Sequence, residues 1–255
     1  MTEWKQLADL TGYTIQTTDG EIGICSDFLF DDRTWVVRYL VVKTSRWLPG
    51  RKVVISPVLL DEPDWSARCF PVRLTKQEIE ESPPLDDHAP VSRQYEITYH
   101  QFYALPFYWV SNGSLDDKSY PSSGVIETVP VQPAPEVSEI DVNEGPLRSI
   151  REVTGYDVVA VDGEAGHIDD FLADERSWNL RYVIVHTRNW LPGGRVLLST
   201  QWLRSINWTD HKAYTDLDID IDEIRRSPGF DPSHLVTREY ESLLYDHYSR
   251  PYYWE

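Results

Sequence analysis

The sequence predicts a mainly β protein built as two small antiparallel β-barrels, each followed by short helices and an aromatic tail. Three observations predict it. First, the chain repeats itself: Leu10-Thr11-Gly12-Tyr13 returns as Val153-Thr154-Gly155-Tyr156, and Asp19-Gly20-Glu21-Ile22-Gly23 as Asp162-Gly163-Glu164-Ala165-Gly166. Trp47-Leu48-Pro49-Gly50 likewise returns as Trp190-Leu191-Pro192-Gly193. Second, short β-favouring runs are separated by tight-turn residues, which is the pattern of a small barrel or sandwich. Third, no long stretch of helical periodicity interrupts them. A repeat this long is a duplicated domain rather than a solenoid unit. The expected organisation is a domain over residues 1–110, a linker over 111–146 and a second domain over 147–255.

Each copy opens with Thr-Gly-Tyr and a β-favouring run, Tyr13–Thr17 and Tyr156–Ala160. Asp19-Gly20 and Asp162-Gly163 tolerate the positive φ of a tight hairpin. The next strands are Ile22–Phe30 and Ala165–Ala173, in which Gly23 and Gly166 suit a bulge or a sharp coil. Trp35–Val42 and Trp178–Val185 are the most strongly β-forming runs. Trp-Leu-Pro-Gly places Pro and Gly at the centre of a type II turn. Strands at Lys52–Ser56 and Arg195–Ser199 follow, then final strands near Ala67–Leu74 and Ala213–Ile221. Proline stops a short helix at Lys76–Ser82 and Asp222–Ser227, and a second helix runs over Ser92–Tyr103 and Thr237–Tyr248. The register between copies lengthens by two residues somewhere between Trp208 and Ile224. Between the copies, Ser111–Pro146 loses apolar periodicity and gains Pro, Ser and Gly, which reads as a semi-extended linker.

The ordered set Thr-Gly-Tyr, Asp-Gly-x-x-Gly, Asp-Phe-Leu, Trp-x-x-Arg-Tyr-x-x-Val, Trp-Leu-Pro-Gly, basic-Val-x-x-Ser resembles the PRC-barrel family, over Leu7 to about Ser82 and again over Ile150 to about Ser227. That family includes the soluble domain of the photosynthetic reaction-centre H subunit and a domain of ribosome maturation factors. The resemblance implies a pair of PRC-type β-barrels and suggests, as a second reading, an accessory of photosynthetic electron transfer. It carries no functional residue onto a matching position here.

Composition narrows the function classes. With 41% hydrophobic and 13% aromatic residues the chain has enough apolar surface for packed cores. A formal charge of −18 argues against a nucleic-acid partner, which rewards clustered Lys and Arg, and against anionic lipid. No apolar run approaches the roughly 20 residues that span a bilayer, so direct membrane insertion is not expected. Met1-Thr2-Glu3-Trp4-Lys5 lacks a secretory pattern, and Cys25 and Cys69 have no counterpart in the second copy. A cytoplasmic protein with free thiols is therefore expected.

No catalytic, cofactor or metal residue recurs in both copies. Asp216-Leu217-Asp218-Ile219-Asp220-Ile221-Asp222-Glu223 fails the EF-hand pattern and reads as a half-buried strand with a wet face. His167-Ile168-Asp169-Asp170 aligns with Ile24-Cys25-Ser26-Asp27, so only Asp27 and Asp170 recur, as turn or rim aspartates. His186 aligns with Lys43. Recognition is left to aromatic features. Trp47 and Trp190 either cap a barrel mouth or anchor a partner. Tyr108, Trp109, Tyr252, Tyr253 and Trp254, in the tails, either fold back within the chain or form an oligomer interface, where Tyr and Trp are enriched. The expectation is a non-catalytic module that binds a protein partner or a second copy of itself. An enzyme with its site in a cleft between the domains is the alternative.

Overall fold

The computed structural model describes residues 4–44, 48, 51–85, 91–109, 147–187, 194–207, 209–215 and 218–255. Trp47, Trp190 and the linker 111–146 lie outside them. The chain opens with β1 (Trp4–Gln6) and α1 (Leu7–Leu10). β2 (Thr14–Thr17), β3 (Gly20–Asp31), β4 (Val36–Thr44) and β5 (Lys52–Ile55) follow, then a 3-10 turn at Pro57–Leu59, β6 (Cys69–Pro71), α2 (Lys76–Glu80) and α3 (Arg93–Phe102). The second copy repeats the series as β7 (Arg148–Ser149), α4 (Ile150–Val153), β8 (Asp157–Ala160), β9 (Gly163–Asp174), β10 (Leu180–His186) and β11 (Arg195–Ser199). A 3-10 turn at Thr200–Trp202 leads to β12 (Leu203–Asn207), β13 (Lys212–Thr215), α5 (Ile221–Arg226) and α6 (Arg238–His247).

Two compact units result. One comprises Asp9–Ser149 with Arg176–Asn179; the other comprises Met1–Ala8, Ile150–Glu175 and Leu180–Glu255. The first holds a sheet of order β5-β4-β3-β2-β6, with β7 pairing the far end of β3; the second holds β11-β10-β9-β8-β13-β12, with β1 pairing the far end of β9. Each copy's lead strand is therefore a strand of the other copy's sheet. The opening segments, three residues and two, are too short to announce themselves as strands in the sequence.

Both sheets are mixed, which corrects the all-antiparallel expectation. β2 runs parallel to β6, and β8 parallel to β13. Parallel neighbours need a long crossover, and in each copy the whole of the intervening meander supplies it. Strand sense between such short segments is set by that route and is not written in any one of them.

The twelve-residue strands β3 and β9 organise each sheet, and the bulge expected at their glycines is present. Ile15 pairs Gly23 but Gln16 pairs Glu21, which leaves Ile22 as the extra residue; Val158, Gly166, Val159 and Glu164 repeat this around Ala165. Gly23 (φ +155°) and Gly166 (φ +151°) face the carbonyl oxygens of Lys43 and His186 at a separation no Cβ could share. Inward residues fill the interior: Ile15, Phe28, Phe30, Tyr39 and Phe70 in one unit, Val158, Phe171, Tyr182, Ile184 and Leu197 in the other, all at 1% exposure or less. Trp178 (φ +57°) packs against Phe28 and Phe70 within the first unit.

Two readings of acidic residues are corrected. Asp27 and Asp170 lie mid-strand rather than at a turn or rim. The Asp170 carboxylate accepts the Ala8 backbone N–H at 3.1 and 3.2 Å, and Asp27 Oδ2 accepts the Ser149 hydroxyl at 2.5 Å. They tether the lead segments. Of the acidic alternation, Asp216 and Leu217 lie outside the described residues and the rest is not a strand: Ile219 is buried, and Asp220 caps α5 by accepting the Glu223 N–H at 2.7 Å. The two extra residues of the second copy enter there, between β13 and α5.

Candidate functional site

Among the described residues, the most elaborate side-chain assembly occurs twice, once in each unit, where the tail meets the sheet. Three stretches build it. β4 and β10 contribute the adjacent pair Arg38-Tyr39 and Arg181-Tyr182. The long helices contribute Arg93 and Glu96, and Arg238 and Glu241; a spacing of three puts both on one helix face. The tails contribute Tyr108-Trp109 and Tyr253-Trp254. The helices start where Ser92 and Thr237 accept the N–H groups of Tyr95 and Tyr240, single-sided caps as the missing acidic partner predicts.

In the first unit the Glu96 carboxylate is buried. Its Oε1 accepts the hydroxyls of Tyr39 at 3.3 Å and Tyr108 at 2.5 Å, and its Oε2 accepts Arg93 Nη1 at 2.8 Å. Arg93 Nη1 also donates to the Tyr108 hydroxyl at 3.2 Å. The guanidinium of Arg38 stacks 3.8 Å from the Tyr108 ring centroid, and that of Arg93 lies 4.3 Å from Trp109. The second unit repeats this: Tyr182 and Tyr253 donate to Glu241 Oε1 at 2.7 and 2.9 Å, and Arg238 meets Oε2 at 3.1 Å. Arg181 stacks 4.0 Å from Tyr253 and Arg238 4.1 Å from Trp254.

Electrostatics suit a clasp. Every group hydrogen-bonded to the two carboxyls is a donor, which suits their acceptor oxygens. Burial pushes the Glu96 carboxyl up from its ordinary range, and the Arg93 charge opposes it. Burial first, and the neighbouring Glu second, raise the hydroxyls of Tyr108 and Tyr253, the latter to about 12. Both hydroxyls therefore stay protonated donors across the physiological range.

One difference between the copies lies at His100. His100 lies 3.0 Å through Nε2 from the Tyr39 hydroxyl and 2.7 Å through Nδ1 from the Pro106 carbonyl oxygen. That carbonyl only accepts, so the ring proton sits on Nδ1 and Nε2 is an acceptor. The single Tyr39 proton then serves two acceptors. Burial depresses His100 to about 4, so the ring is neutral at physiological pH. Tyr245 stands at the matching position in the second copy.

Of the residues singled out from sequence, Tyr108, Trp109, Tyr253 and Trp254 come together in these clasps, half-buried. Tyr252 lies outside the hydrogen-bonded core of its clasp, stacked 4.7 Å from Trp254 and donating to Asp246 Oδ1 at 2.6 Å. Trp47 and Trp190 fall outside the described residues. Arg38, Tyr39, Arg93, Glu96 and their counterparts went unrecognised as a group. The available signal was that buried-type polar residues keep their identity in both copies. Among the described residues no group of three or more His, Cys, Asp or Glu converges on a metal position, and no helix is long and apolar enough to cross a membrane.

Neither known family models nor curated proteins give a match to this chain.

Proposed function

We propose that the chain is a tandem of PRC-type barrels acting in the cytoplasm as a non-catalytic module that binds a protein partner. The observation that carries this reading is the duplicated clasp. Its charged and hydroxyl groups are spent on one another and on pinning each tail, so the residues kept in both copies maintain a shape. The barrel form is supported by the ends of each sheet path. β11 and β12 lie at opposite ends yet are consecutive in the chain, joined by the 3-10 turn at Thr200–Trp202. In the first unit a bridge between Leu60 and Val72 links the segment after β5 to the segment after β6. The free thiols of Cys25 and Cys69 fit a reducing compartment.

Large apolar side chains left on the surface are the natural contact points of such a module. Leu235 is 82% and Leu243 62% exposed. Affinity capture with the full chain, run beside a Leu235→Asp, Leu243→Asp variant of unchanged circular dichroism, tests the reading. A defined protein retained by the native chain at several salt concentrations and lost by the variant is expected. Identical recoveries from both, or turnover of a small molecule lost on mutating a clasp residue without loss of fold, would overturn it.

A further inference from the structure

We propose that His167 and His186 bind a divalent transition-metal ion of the Zn2+ type on the outward face of the sheet built by the second copy. The two residues are far apart in sequence but directly opposed on β9 and β10. Both are half-buried, and their ring centroids lie 5.0 Å apart with planes inclined by 30°. Two imidazoles bonded to one ion at about 2.1 Å, with a near-tetrahedral angle between the bonds, have centroids about 5 Å apart.

A second observation points to a missing ligand. His186 Nδ1 is shielded from solvent and has no hydrogen-bond partner among the described residues. Buried polar atoms rarely go unsatisfied, and a metal ion bonded to that lone pair would satisfy it. Imidazole pairs suit Zn2+, Ni2+ and Cu2+ rather than the hard cations. The charged neighbours permit it. Asp157 is opposite His167 on β8, and Arg195, opposite His186 on β11, is held by Asp169 at 2.5 Å. Two protein ligands leave positions on the ion for water or an outside donor. The first copy cannot form the site, because Ile24 and Lys43 occupy the matching opposed positions.

Calorimetric titration of the full chain with ZnCl2, read alongside the side-chain nitrogen shifts of the histidines, tests the proposal. One saturable ion per chain is expected, with the shifts confined to His167 and His186. His167→Gln and His186→Gln should each weaken binding by at least the roughly tenfold that even outer-shell losses cause. Ile24→His with Lys43→His should raise the stoichiometry to two. Undiminished binding in the His167→Gln, His186→Gln double variant, no saturable binding by the native chain, or shifts at other histidines alone would overturn it.

Discussion

Glu96 and Glu241 hold each tail because a buried carboxylate is the one group that two tyrosine hydroxyls and an arginine can share. Removing it takes the shared acceptor from all three, although Tyr39 keeps His100 and Arg238 is half exposed. Glu96→Ala should cost about 3–5 kcal/mol, the scale of a broken buried pair, and Glu241→Ala less, because its Arg238 partner is half exposed and screened. The exposed Glu62→Ala should stay within about 0.5 kcal/mol. Denaturant melts of the three variants check this, and equal midpoints would remove the clasp from the account. His100 adds a pH dependence to the first unit alone. Its folded pKa of about 4 lies below the ordinary 6.5, so between those values the unfolded chain binds the proton more readily. The stability is complete above pH 6.5 and is lost as pH falls toward 4, a change on the order of 3 kcal/mol. His100→Gln should flatten this segment of the stability–pH curve; an unchanged curve would show that the ring does not titrate there.

At the scale of elements, β3 and β9 carry most of the consequences. Each is long enough to pair with three neighbours, and each turns at a glycine-assisted bulge where the backbone of the next strand comes too near for any side chain. Gly23→Ala and Gly166→Ala combine a positive φ with that approach and should each destabilise by at least the roughly 1–3 kcal/mol of a strained backbone position. Thermal unfolding of the two variants is the check, and a melting temperature within a degree of the parent would refute the close approach. The helices that follow are anchored in parallel ways: Asp19 accepts the Lys76 N–H at 2.9 Å, and Asp162 the Ile221 N–H at 2.8 Å. The Asp-Gly pairs thus serve twice, in the hairpin and at the start of the next helix. In the first copy Thr75 and Glu78 add a capping box to that start.

For the whole molecule the governing feature is the exchange of lead strands. β1 lies in the unit of the second copy and sets Trp4 edge-to-face against Tyr182, with centroids 5.6 Å apart. Deleting Met1–Gln6 from the full chain should therefore expose the end of β9 rather than any strand of the first copy. Hydrogen exchange should quicken at Leu172, Ala173 and their β10 neighbours and stay slow through β2–β4. The reverse pattern would place the lead strand with its own copy.

The duplication, the order of the main strands and helices and the bulging glycines were legible in the sequence, because each depends on a residue's own backbone preference or on neighbours a few positions away. Four things were decided only by tertiary structure: the parallel pairings, the strand exchange, the tethering role of Asp27 and Asp170, and the meeting of Arg, Tyr and Glu from three distant stretches. Each requires knowing which segments become neighbours, and hydrophobic periodicity specifies the face a residue turns inward without naming what waits on the other side. His167 and His186 are the clearest instance, two unremarkable residues in sequence that the register of β9 and β10 sets side by side.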